Sequence, residues 1–475
     1  MTVATAVYVL PRRMAGWAAR RSLAPNALTG IGLACSICAA GWFSAGTRLD
    51  ALIGGAALCA GYLARRIRAQ VAADRAAGEA ARGAAAPASV AGPMTAGTMT
   101  ASYAGWLAAT CAAVGELAVY AGLAAGASAS QQRGIWLLAT EAAITLSIRQ
   151  VARVCQPGRA RPSWSQPPWS QQGWSQPRWS QPSHSQPTRG QPTRGQHARA
   201  AAPAARAWLG MVAGLLLALP TGERTVAIAV TALIGGAQVT FLVLIVWGAA
   251  AAGWAVVESV WTPAGRMAAG GMTGGEMVVG GPAVAAGGIA ACRDDGPAAQ
   301  LAGRIVRGQL VPLPPALAGL AAVVLLAALG LGNLTGILVL APVAAMLLAA
   351  PGAGHPHDGR LDWLVPLVLL AGQYVYLTAL GFSAGVPGPV TFAMISLVAL
   401  RQLDVACRAR LAGWPPQRSR LGWDGRLVVV GIAALLGVAT FAYLALAAYL
   451  GWLLCRASLS GWLAVKEPDM SARHE

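Results

Sequence analysis

Acidic residues are scarce in this chain. Asp and Glu number 17 among 475 residues, against 35 Lys and Arg, and Lys466 is the single lysine. Charged residues of both signs make up 11%, where an average soluble domain carries about 25%. So little charge leaves the surface of a water-soluble protein of this length uncovered. Nucleotide-binding and hydrolase signatures are missing too. There is no phosphate loop, no G-x-G-x-x-G opening a helix and no G-x-S-x-G. Cysteines number eight but form no disulfide framework. Cys35 and Cys38 make a C-x-x-C inside an apolar helix with no second pair at metal-ligand spacing, so they read as small buried hydrophobes. The N-terminal stretch, with Arg12, Arg13, Arg20 and Arg21, holds no apolar core long enough for a cleavable signal peptide.

Long apolar runs are plentiful. Hydrophobic residues make up 56% of the chain, in stretches of about 20 residues, the length that crosses a bilayer core. The pattern predicts an all-α polytopic transmembrane bundle of about 11 spans in two modules. Residues 1–21 read as an interfacial helix in which Val7, Val9, Leu10, Met14 and Trp17 alternate with Arg. Six spans are expected within 22–258, at roughly 27–45, 50–69, 102–125, 134–152, the stretch from 220, and 238–257. Residues 70–100 read as a charged loop or loose helix. A Gly/Ala-rich linker covers 259–311, and a second helical module fills 312–460. Its spans fall at roughly 314–331, 334–350, 362–382, 387–402 and 427–455, the last long enough to break in two.

Within the first module, residues 153–206 form a linker in which W-S-Q-P recurs with a five-residue step from Trp164. Proline at this density forbids helix, and nothing in the segment can bury a core. The repeat, over 164–195, reads as a low-complexity insertion whose Trp and Arg touch headgroups, with a protein-binding array as the sharper alternative. The net charge is +18. It lies in Arg-rich loops beside the spans, which points to anionic membrane lipid and excludes nucleic acid as the partner. The positive-inside bias places the N-terminus and the 153–206 linker in the cytoplasm of a multi-pass protein of the cell (inner) membrane.

Three segments follow a known frame. Leu23-Ala24-Pro25-Asn26 with Thr29 opens the first span. Ala57–Arg65 reads ALCAGYLAR, and 103–124 reads YAGWLAATCAAVGELAVYAGLA. Together they resemble the CDP-alcohol phosphotransferase family signature, D-x2-D-G-x2-A-R followed by G-x3-D-x3-D. In that family four aspartates hold Mg²⁺ or Mn²⁺, and one takes the proton of the acceptor alcohol. Here Ala57, Ala60, Ala108 and Ala112 stand at the aspartate positions, while Gly61, Ala64 and Arg65 are kept. Hard divalent cations demand oxygen ligands, so no catalytic or metal-binding residue and no cofactor is expected. Gly61 and Arg65 are the expected phosphate contacts. Glu116, an ionisable residue inside a span and one turn past position 112, is the one candidate substitute. Glu141 is a second intramembrane acid.

The resemblance implies a non-catalytic scaffold or a lipid- or nucleotide-sensing pseudoenzyme. The alternative is an active transferase that moves a phospho-alcohol from a CDP-alcohol to an alcohol acceptor with Mg²⁺ or Mn²⁺. Implied partners are membrane lipids, a CDP-alcohol and a second copy of the chain. The second module is similar to a domain of unknown function fused to such transferases in actinobacteria. The similarity rests on 359–366, Arg401-Gln402-Leu403-Asp404 and Gly422-Trp423-Asp424-Gly425-Arg426. Three further expectations come from local context. His355, His357 and Asp358 read as a solvated loop. Cys292, Asp294 and Asp295 read as solvated linker. Asp362, Asp404 and Asp424 read as interfacial partners of Arg360, Arg401 and Arg426.

Overall fold

The computed structural model describes residues 14–84, 96–155, 221–261 and 291–466, less short gaps at 19, 22–23, 130–131, 133, 307–308, 331–335, 356, 358, 360 and 411–420. Val7, Val9, Leu10, the W-S-Q-P repeat, Asp358 and Arg360 therefore lie outside the described residues. Among those described there are twelve α-helices and no strand. They are α1 (Pro25–Ala45), α2 (Arg48–Ala84), α3 (Ala96–Ala129), α4 (Ile135–Cys155), α5 (Thr221–Trp261) and α6 (Pro297–Val306), then α7 (Leu313–Ala328), α8 (Ala341–Leu347), α9 (Val365–Ser383), α10 (Gly388–Arg410), α11 (Trp423–Leu435) and α12 (Ala439–Lys466). Eight runs among them are long and apolar enough to cross a membrane. One is the composite Ile337–Gly354, in which α8 is flanked by 3-10 turns. Ile234, Ile337 and Phe441 point outward, where only lipid can cover them.

Local chemistry sets the ends. Pro25 occupies the first turn of α1 and lacks an amide that would otherwise go unbonded, and Gly46 at φ 78° closes the helix in the left-handed conformation. Small residues set the spacing. α1 lies between α2 and α3, with Gly61 against the Gly32 carbonyl and Gly122 against the Ala40 backbone. α2 extends well past the expected end of its span. Its 37 residues reach about 55 Å at 1.5 Å per residue, longer than the roughly 30 Å hydrocarbon core of a bilayer.

The expected fifth and sixth spans arrive as one helical run broken at Gly236 (φ 71°, ψ −172°). The Thr231 hydroxyl donates to the Thr240 hydroxyl at 3.0 Å, whereas nine residues of straight helix span about 13 Å. The break is thus a tight helical corner. Its first arm runs antiparallel to α2, with Gly222 at Tyr62 and Ala229 at Gly55. The final expected span also breaks, at Gly437 (φ 72°), into α11 and α12.

One face of the bundle collects the guanidinium groups. Ala15 and Ala18 pack on Ile67 and Val71 of α2, Arg68 donates to the Ala104 carbonyl, and Tyr103 donates to the Ser458 carbonyl at 3.2 Å. The first described helical turn and the end of α12 therefore lie on the same face. The two halves also meet. α10 packs along α4 and α3, and α12 against α10 and α3. The Ser147 and Tyr374 hydroxyls sit 2.6 Å apart across the junction. One hydrophobic core, from Ala39 to Leu450, runs through both halves.

Candidate functional site

Two polar clusters lie toward the Arg-rich face, one in each half. In the first half, Ala108, Ala112 and Glu116 follow one another at single-turn spacing on α3. Ala57, Ala108 and Ala112 are half-buried, and Ala60 is exposed on α2. Gly61 is buried against α1. The Arg65 guanidinium reaches the same helix, donating to the Ser36 hydroxyl at 3.1 Å and approaching the Gly32 carbonyl at 3.5 Å. Glu116 is held twice, by the Arg224 guanidinium at 2.5 Å and by the Tyr120 hydroxyl at 2.8 Å. Arg65 and Arg149 both lie close enough to feel its charge and that of Arg224. A narrow pocket lined by Tyr120, Thr145, Arg149, Arg224 and Gly248 adjoins the group. The sequence singles out Glu116 as a costly intramembrane charge. Its partner lies 108 positions away, and no local pattern announces it.

The donor set does not suit a divalent cation. Alanine supplies no oxygen ligand, and the Glu116 carboxylate is already engaged by a guanidinium and a phenol. Among the described residues, no group of three or more His, Cys, Asp or Glu is placed to hold a metal ion.

The second cluster corrects three expectations. The segment 291–296 is no solvated linker: Cys292, Asp294 and Gly296 are buried. It forms a strap across the ends of α9, α10 and α11. The Arg426 guanidinium donates to Asp294 at 2.7 Å, and the Trp423 indole donates to Asp295 at 2.8 Å. The Gln402 amide donates to the Cys292 carbonyl at 2.8 Å. Arg293 and Asp295 pair with each other at 2.9 Å, but the strap is missed from sequence because Asp294 is neutralised by Arg426, more than a hundred positions away.

Asp362, Asp404 and Asp424 are likewise buried rather than interfacial. Asp404 does pair with Arg401, at 2.8 Å, and also accepts from Arg408 at 2.6 Å and from the indole of Trp106 on α3 at 3.0 Å. Asp424 does not pair with Arg426. It accepts the amides of Gly296 and Ala299 at 2.8 and 3.0 Å, satisfying the otherwise unbonded start of α6. Asp362 accepts the Gly359 amide at 3.0 Å.

His357 is the third correction: it is 1% exposed, not a solvated loop residue. It sits at φ 57°, a left-handed conformation that His adopts more readily than most side chains. Its Nδ1 donates to the His355 carbonyl, and its Nε2 accepts from Arg293 at 3.2 Å. That pairing requires the neutral ring. Burial, and then the Arg293 guanidinium, hold its pKa below the ordinary 6.5, with the bond to the His355 carbonyl and then Asp362 opposing more weakly. The folded state thus binds the proton less readily than the unfolded chain. The contribution is complete above the unfolded pKa of about 6.5 and is lost as pH falls from there through the depressed folded value. The thermal midpoint of the detergent-solubilised protein should drop between about pH 7.5 and pH 5.5. In His357→Asn, which tolerates the same backbone, the fall should be shallower.

The fold and its two clusters define a multi-pass, all-α membrane protein with buried ionic networks in both halves. Residues 283–474, which include α6 to α12, match the model of a family of unknown function, DUF5941. No curated protein and no solved structure matches the chain.

Proposed function

We propose that the first half is a CDP-alcohol phosphotransferase-like bundle whose chemistry has been lost, and that the chain serves as a non-catalytic scaffold or a lipid- or nucleotide-sensing protein. The order of the three motif segments along α1, α2 and α3 supports the frame. The observation that carries the reading is the occupation of Glu116. It is the one acid on the 108–112–116 stripe, and it is engaged by Arg224 and Tyr120. A carboxylate so paired is a poor metal ligand and a poor general base, because either role requires breaking a desolvated charge pair. The Arg-rich face is the cytoplasmic one on this reading, by the positive-inside bias.

The purified protein, given a CDP-alcohol, an acceptor alcohol and Mn²⁺, should release no CMP above a metal-free control. Metal-dependent release that disappears in Glu116→Gln would establish the transferase instead. The frame has its own test. Ala57→Asp, Ala60→Asp, Ala108→Asp and Ala112→Asp together should create a Mn²⁺ site detectable by paramagnetic resonance. Absence of binding in a folded quadruple variant refutes the alignment.

A further inference from the structure

We infer that a single internal water molecule is bound between the strap and α9, α10 and α11, and that it fastens Gln373 to the strap. Three groups hold the strap by direct bonds: the guanidinium of Arg426, the indole of Trp423 and the amide of Gln402. Gln373 of α9 lines a small cavity together with Asp294, Gln402 and Trp423, and it is 1% exposed. Its Oε1 accepts from the Arg426 guanidinium at 3.4 Å. A guanidinium carries only donors, so it settles which way round the amide stands. The oxygen faces Arg426, and the NH₂ group is turned away from it. That Nε2 is buried and meets no acceptor among the described residues. A buried donor left unbonded is costly, and an acceptor beside it removes the cost.

Size and charge select the occupant. The cavity has room for one water-sized molecule and nothing larger. The charged residues on its wall are one arginine and one aspartate, Arg293 and Asp294. Each is already paired, Arg293 with Asp295 at 2.9 Å and Asp294 with Arg426 at 2.7 Å. The wall therefore offers no net charge to repay an ion of either sign for its lost hydration. Water suits both sides. Its oxygen accepts from Gln373 Nε2, and it donates to Asp294. One carboxylate oxygen, Oδ2, serves Arg426, while Oδ1 lies 3.9 Å from the Arg401 guanidinium, beyond hydrogen-bond reach. Two polar partners meet the minimum that a buried water needs. Every residue on the wall is buried, so the molecule is set apart from bulk solvent and exchanges with it slowly.

X-ray radiolysis of the full chain in detergent tests this, because hydroxyl radicals made from a bound water oxidise the side chains beside it, and mass spectrometry locates them. Trp423 and Trp363 are 3% and 1% exposed, and of the two Trp423 alone lines the cavity. Trp423 should be oxidised at several times the rate of Trp363. After rapid mixing into water enriched in heavy oxygen, the exposed Trp452 should take up the isotope at once. Trp423 should follow only after a delay, the time the bound molecule takes to leave. Gln373→Met keeps the length of the side chain and removes the amide. Oxidation of Trp423 should then fall to the Trp363 rate, with Trp452 unchanged. Trp423 as inert as Trp363 in wild type overturns the proposal. So does isotope uptake at Trp423 as fast as at Trp452, which marks access from bulk solvent. Undiminished oxidation of Trp423 in folded Gln373→Met overturns it as well, since the water is then held without Gln373. If Gln373→Met does not fold, the oxidation rate and the isotope delay in wild type decide it.

Discussion

Asp404→Asn should lower the stability of the protein by about 3–5 kcal/mol, the cost of breaking a buried charge network from its acidic side. Asp404 is wholly buried and accepts from three donors: Arg401 at 2.8 Å, Arg408 at 2.6 Å and the Trp106 indole at 3.0 Å. The substitution keeps shape and volume but removes the charge, and it places an amide NH₂ where donors already converge. Because Trp106 belongs to α3 and Asp404 to α10, the loss should loosen the junction between the halves as well as the second half itself. Thermal unfolding in detergent, followed by tryptophan fluorescence, measures it. Trp106→Phe should cost less, about 1.5–3 kcal/mol for a hydrogen bond to a charged group. Arg456→Gln, on an exposed guanidinium stacked over Trp452, should stay within about 0.5 kcal/mol. Replacing Asp404, Arg401 and Arg408 together by apolar residues of similar volume should recover most of the loss, because the desolvation cost disappears with the charges.

These two polar clusters also show where sequence reading succeeds and where it stops. Span positions were legible because a bilayer core demands a fixed apolar length. The runs expected at 134–152 and 387–402 appear as Ile135–Cys155 and Gly388–Arg410. The extra turns lie at the polar ends, where helix continues past the apolar run without the composition announcing it. Glu116 was legible as costly, since an acid inside a span needs a partner. Arg224 was not, because pairing over 108 positions depends on how α5 folds back at Gly236.

The buried strap at 291–296 fails for the same reason in a stronger form. A Gly/Ala-rich stretch with Asp294 and Asp295 carries the composition of solvated linker. It becomes interior only once Arg426 and Trp423 are brought to it by α11. Asp424 adds a second lesson. Two positions from Arg426 in sequence, it caps α6 instead of pairing with its neighbour, since helix residues two apart point in different directions.

The packing that sets Glu116 and Arg65 in place makes the second large prediction. Gly122→Ala should destabilise the protein by about 3 kcal/mol or more, at the upper end for overpacking. A Cβ at Gly122 would lie 2.2 Å from the Ala40 carbonyl oxygen and 2.7 Å from its Cα. The obstacle is backbone, so no side chain can swing aside, and α1 and α3 must separate. Gly30→Ala, on α1, makes the same chemical change where nothing lies within 4 Å. It should leave stability unchanged or raise it by up to about 1 kcal/mol, the helix-propensity gain. The contrast removes composition from the comparison and leaves only the closeness of the helices. Arg65 is seated on α1 through Ser36, and Glu116 rides on α3, so widening that gap also displaces the polar group around Glu116.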